Sequence, residues 1–178
     1  MKLSKETVAV LKNFSAINTN LLLMAGNKLS TISTEETVVA YAEIPEEIPE
    51  NFGIYDLSEF LGALSLFDDP DINFSGTFLR IKSGSNGVKY FGAEPSLLSV
   101  PKMNGNVPGI VTKCPDPDIT VKLSQDQISM IMRTSSVFKT TDISITGDGS
   151  NIKLVVGDKK NSTANRYELD LGESDSEF

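Results

Sequence analysis

A chain of 178 residues, 39% hydrophobic and 22% charged, has the balance of one globular domain or two small ones. It has no histidine and one cysteine, which excludes a Ser-His-Asp triad, a histidine-assisted thiol nucleophile, an intrachain disulfide and a Cys/His zinc site. A net charge of −8 argues against a polyanionic partner unless the 16 Lys and Arg are segregated onto one surface.

The N-terminus, Met1-Lys2-Leu3-Ser4-Lys5, turns polar at once and lacks a signal-peptide core. The longest apolar run, Leu21-Leu22-Leu23-Met24-Ala25, is far short of the ~20 residues that span a bilayer. No membrane is expected, and the expected location is the cytoplasm. The first predicted element is a helix over Lys5–Ala16, followed by strands over Asn20–Ala25, Glu36–Glu43 and Phe52–Tyr55. A second helix, Glu59–Phe67, precedes strands over Asp71–Phe74, Phe78–Ile81 and Val88–Phe91. A third, Gln125–Phe138, precedes strands over Asp142–Thr146, Asn151–Val156 and Arg166–Leu171. Turn residues separate the strands at Ser75-Gly76, Ser85-Asn86-Gly87 and Gly147-Asp148-Gly149-Ser150.

The pattern is a repeat. Lys2-Leu3-Ser4, Asp56-Leu57-Ser58 and Lys122-Leu123-Ser124 each open a helix-plus-strands unit. Each serine is expected to cap its helix, with Glu6, Glu59 and Asp126 in the first turns where negative charge suits the helix dipole. The fold class read from this is α+β, built from repeated units of one helix and antiparallel strands. Residues 1–94 form a first domain of two units. Residues 95–118, rich in Pro and Gly, form an interdomain connector. Residues 119–178 hold one unit, the first half of a second domain. By symmetry a fourth unit is expected after Phe178, so the second domain reads as incomplete and the acidic Glu173-Ser174-Asp175-Ser176-Glu177-Phe178 as a loop cut short.

At about 100° per residue, Thr7, Val10, Leu11 and Phe14 form one stripe of the first helix. Lys5 and Lys12, seven apart, project together from the opposite face. In the third helix Ile128, Ile131 and Met132 are the expected buried stripe, with Arg133 leaning away from it and Lys139 just past the end. The second helix has no Lys or Arg and presents Gly62 and Ser65 outward. The acidic Glu35, Glu36, Glu43, Glu46, Glu47 and Glu50 fall on strands and loops of the first unit. That separation of sign is modest evidence for a polyanion partner.

Met1-Lys2-Leu3-Ser4-Lys5, Leu11-Lys12-Asn13-Phe14 and Ile17-Asn18 resemble the start of the sliding clamps (DNA polymerase processivity factors) of T-even-type bacteriophages. Ile54-Tyr55-Asp56-Leu57, Phe60-Leu61-Gly62, Leu64-Ser65-Leu66 and Asp69 are similar to that family's second unit, and Tyr167-Glu168-Leu169-Asp170-Leu171-Gly172 to its late strand. The resemblance implies the DNA-clamp fold. Three subunits form a homotrimer whose six domains close a ring, with strands as the outer wall and helices lining the bore. It implies double-stranded DNA bound without sequence preference, a DNA polymerase and a clamp loader as partners, no cofactor, no metal and no catalysis.

Under that reading Lys5, Lys12 and Arg133 are expected to face phosphates, with Lys2, Lys122 and Lys139 nearby. The resemblance also implies an apolar pocket near the connector for a polymerase tail peptide. Its candidate residues are Leu97, Leu98, Val100, Val107, Ile110 and Val111. Two other readings compete. A phage structural or assembly protein would use the same strands for self-association and ignore DNA topology. An enzyme would use Asp68-Asp69-Pro70-Asp71 as a metal cluster, although such a run more commonly forms a turn. Gly147-Asp148-Gly149-Ser150 reads as a hairpin turn, since the remaining spacing of a calcium loop is absent.

Overall fold

Ser4 adopts an extended backbone, and its hydroxyl accepts the Thr7 amide at 3.1 Å, which starts α1 (Lys5–Ser15). The computed structural model that shows this describes residues 1–104, 107–110, 116, 117, 119–161, 163–173, 175, 177 and 178. The chain divides into two compact units, Met1–Pro115 and Asp116–Phe178. Residues 95–115, read from sequence as connector, group with the first unit.

In the first unit α1 buries Thr7, Leu11 and Phe14, the predicted stripe, with Val10 only partly covered. The second helix, α2 (Leu57–Ser65), begins earlier than expected. Its cap is Asp56, not Ser58: the Asp56 carboxylate accepts the Ser58 and Glu59 amides, each at 2.9 Å. A carboxylate is the stronger acceptor at a helix start, so the repeat's serine falls inside the first turn.

Strands β1 (Leu21–Leu23) and β4 (Phe52–Ile54) pair antiparallel. Between them lies a hairpin of β2 (Gly26–Ile32) and β3 (Val39–Ile48). β2 was not foreseen, because Gly26-Asn27-Lys28 interrupts the apolar alternation. Gly26, at φ 111, ends the first predicted strand and starts this one. A meander of β5 (Asp71–Phe74), β6 (Phe78–Ser83) and β7 (Asn86–Phe91) follows α2. A 3-10 turn at Pro95–Leu97 leads to the short pair β8 (Met103–Asn104) and β9 (Val107–Pro108).

One core joins α1, α2 and β1 to β7. Leu11, Phe14, Leu21, Phe52, Ile54, Leu57, Phe60, Leu79 and Ile81 are all buried within it. Phe60 meets Tyr90 edge-on at 5.4 Å between ring centres. Full burial of such side chains contributes about 1.5–3 kcal/mol each.

The second unit is smaller. Ser124 and Gln127 form a reciprocal capping box at the start of α3 (Gln125–Phe138), and Lys139 closes it in the left-handed conformation. Strands β10 (Ile143–Gly147), β11 (Asn151–Val156) and β12 (Tyr167–Glu173) make an antiparallel sheet. Ile131, Leu154 and Val156 form its buried core, with Leu123, Tyr167, Leu169 and Leu171 against them. The expected stripe of α3 needs correction. Ile128 and Met132 are 41% and 62% exposed, and burial runs through Ile131 and Thr134. A three-stranded sheet covers a narrow line of this helix, and the residues flanking that line stay outside. The Gly147–Ser150 segment is a turn, with the Asp148 carboxylate accepting the Ser150 and Asn151 amides at 3.0 and 2.7 Å. Among the described residues no helix is long and apolar enough to cross a membrane.

Candidate nucleic-acid interface

The first turn of α1 is fixed from two sides. Its own cap serine holds the Thr7 amide, and Glu46 of β3 reaches over to accept hydrogen bonds from the Ser4 amide and the Thr7 hydroxyl. Glu46 can do this because β3 leaves its ladder there. Pairing steps from Lys28↔Glu43 to Gly26↔Ile48, and Pro45 has no N–H to donate. Burial raises the Glu46 pKa, but the hydrogen bonds from Thr7 and Ser4 outweigh it and the carboxyl is held below its ordinary 4.5. The negative charge also sits at the positive end of the helix. Sequence reading counted Glu46 as one more surface acid. No local pattern reveals this role, because its partners lie about forty residues upstream.

With α1 so anchored, Lys5 and Lys12 are exposed, on the face away from Thr7, Leu11 and Phe14. They line a groove of about 570 Å³ between α1 and α2, whose other wall includes Leu61, Leu64, Phe67, Asp68 and Asp69. Lys2 is exposed too, but it forms an ion pair with Asp69, and that hydrogen bond raises its pKa. Lys2 is therefore a largely compensated charge, while Lys5 and Lys12 appear in neither of the ion pairs found among the described residues.

Arg133, Lys122 and Lys139 are all exposed in the second unit. Arg133 stands on α3 between the buried Ile131 and Thr134 in sequence and points off their line, and Lys139 is the helix's closing residue. The structure thus sets Lys5 and Lys12 on one groove of the first unit, with Lys2 paired to Asp69 of its wall, and carries Lys122, Arg133 and Lys139 on the second.

Two of the six residues expected in a peptide pocket share a cavity. Val100 and Ile110 line a cavity of about 420 Å³ with Ile32, Val39, Pro101 and Pro108, rimmed by Glu36 and Lys102. Leu97, 65% exposed, and Leu98 do not line it; Leu98 packs beside Gly53. Val107 lies in β9 with its side chain outside the described residues, and Val111 lies outside them altogether, as does Cys114. Ile32 and Val39, absent from the predicted pocket, sit at the facing ends of β2 and β3, and only the β3 side of that hairpin is legible in the sequence. Among the described residues no group of three or more His, Cys, Asp or Glu could hold a metal ion.

Residues 4–98 match the family described as DNA polymerase processivity factor. The chain is similar to the sliding clamp of Vibrio phage KVP40, at 32% identity over 98% of this chain and 79% of that protein. It is similar also to the sliding clamp of Enterobacteria phage T4, at 31% identity over 99% and 77% respectively. The sliding clamp of Escherichia phage RB69 is 31% identical over 86% of this chain, which there spans 65% of the relative's length. Among solved structures the C. crescentus beta sliding clamp superposes with a TM-score of 0.51 at 13% identity, covering 89% of this chain but only 44% of that one; the likeness is one of fold.

Proposed function

This chain belongs to the DNA polymerase processivity factor family, and from that premise we propose that it acts as a sliding clamp, a non-catalytic tether holding a DNA polymerase on duplex DNA. The observation that carries the reading to named residues is the exposed Lys5–Lys12 face of α1 on a chain of net charge −8. A tether held by topology needs no tight contact. A few cations at roughly a Debye length from the phosphates, about 8–10 Å, attract DNA of any sequence and still let it slide. Lys5, Lys12 and Arg133 face phosphate in this reading. Lys122 and Lys139 add to the field, and Lys2 adds little while Asp69 holds it.

Encirclement requires several copies, and a homotrimer loaded by a clamp loader is the arrangement proposed. Exposed apolar side chains of the second unit, including Met132, Val137 and Ile143, favour association over a solitary chain. The cavity lined by Ile32, Val39, Val100 and Ile110 is the proposed seat for an apolar polymerase tail peptide. Because topology and not affinity is the claim, the test is primer extension on a singly primed circular template with polymerase and loader. The chain is expected to lengthen products, to scatter light as three chain masses, and to lose much of the lengthening when Lys5→Glu and Lys12→Glu are combined. Unchanged product length in that double variant refutes the assignment of the helix face.

A further inference from the structure

The β5–β6–β7 meander has one face in the core and one in solvent. Leu79 and Ile81 are fully buried, so Phe78, Arg80 and Lys82, which alternate with them, stand on the outer face. Strand register puts Phe91 opposite Phe78, Lys89 opposite Arg80, Asn73 across from Arg80, and Asp71 across from Lys82. This face therefore carries three cations, one carboxylate and two phenyl rings on a chain of net charge −8.

The two ion pairs found among the described residues involve none of the three cations. Lys89 Nζ sits 4.0 Å from the centre of the Phe78 ring and 4.8 Å from that of Phe91, and the ring centres are 6.1 Å apart. Phe91 is nevertheless 66% exposed. Beside the rings, Arg80, Lys82 and Lys89 line a shallow cavity of about 270 Å³ closed by the turn at Gly84–Gly87.

A single exposed phenylalanine or a few surface lysines would need no explanation. Two adjoining rings interleaved with cations that lack carboxylate partners are a different arrangement. They suit a ligand with flat π-faces and negative charge at short, regular intervals. A duplex hides its base faces in the stack, and an acidic peptide leaves the rings without a matching surface. We propose that the outer face of β5–β6–β7 docks single-stranded nucleic acid, with bases stacking on Phe78 and Phe91 and phosphates held by Arg80, Lys82 and Lys89. The site shares no residue with the Lys5–Lys12 face, and its test is independent of ring closure.

Fluorescence anisotropy with labelled oligodeoxythymidylate of about twelve nucleotides tests it on the whole chain. Three phosphate contacts give a slope of log K against log salt near −2, so binding is expected to weaken about 20-fold between about 50 and 200 mM salt. Phe91→Ala is expected to weaken binding about 5- to 150-fold, and Phe91→Tyr to retain it. Arg80→Glu with Lys82→Glu is expected to abolish most binding and flatten the salt slope. Because these side chains are exposed, far-UV circular dichroism is expected to stay that of the parent. No binding at about 50 mM salt, or binding unchanged in the Arg80/Lys82 variant, overturns the proposal. So does equal competition by duplex of the same length, or more efficient displacement by an acidic peptide.

Discussion

Glu46→Gln probes how an acidic strand aims a basic helix. The wild-type carboxylate accepts the Ser4 amide and the Thr7 hydroxyl, and Thr7 is 1% exposed. Glutamine keeps one carbonyl oxygen but loses the charge and the second acceptor. Hydrogen bonds to a charged group contribute about 1.5–3 kcal/mol each, and screening at a half-exposed position reduces the loss to about 1–2 kcal/mol in total. For a chain of this length that lowers the thermal midpoint by about 2–8 °C. The pH dependence is the sharper test. The folded carboxyl titrates below its ordinary 4.5, so its contribution is fully present above that pH and is lost as pH falls through the folded value. Melting of both chains by circular dichroism should show the gap at neutral pH and its closure in acid. A gap of equal size at both ends of the range, or none at neutral pH, refutes the idea that this carboxylate anchors α1.

Two further perturbations read the packing of the first unit. A Cβ at Gly53 would lie 2.2 Å from the Ala93 carbonyl oxygen, a backbone atom that cannot swing aside, whereas one at Gly62 meets nothing within 4 Å. Gly53→Ala is therefore expected to cost about 1–3 kcal/mol or more in urea unfolding, and Gly62→Ala, inside α2, to stabilise by about 0.5–1 kcal/mol. Tyr90 donates to the Asp56 carbonyl at 3.1 Å, and burial, with the charges of Glu59 and Asp56, pushes its pKa up to about 12. One of the 4 tyrosines should thus ionise last in an alkaline absorbance titration. Its stabilising contribution is present below its ordinary 10.0 and fades as pH rises towards 12, and Tyr90→Phe should remove that late phase.

Much of the fold was readable because helix and strand have different periods. The Thr7–Leu11–Phe14 stripe and the alternation through Leu79 and Ile81 are strong local signals, and both match burial. The clamp fold and family were readable through residues spread along the whole chain. What failed was non-local. Whether Ser58 or Asp56 caps α2 depends on which side chain reaches the free amides. Whether Ile128 is covered depends on the width of the sheet beneath α3. β2 has a polar first half, and only its pairing with β3 makes it a strand.

The same distinction bears on charge. A net charge of −8 is a sum over faces, and a sum says nothing about any one of them. On α1 the segregation was visible because cations spaced by seven return to one side of a helix. On β6 and β7 it was not, because Arg80, Lys82 and Lys89 look like ordinary alternating polar residues until register sets Lys89 beside Arg80 and both beside the phenyl rings. Carboxylate placement then decides what each cation can do. Asp69 contacts Lys2 and compensates it, whereas Asp71 lies across from Lys82 without forming an ion pair. A cation with an acid in contact is largely compensated, and a cation without one is available to a partner. By that criterion the first unit carries available charge on at least two separate surfaces, Lys5 and Lys12 on a helix and Arg80, Lys82 and Lys89 on a sheet, and a polyanion that met only the helix would leave the larger cluster unused.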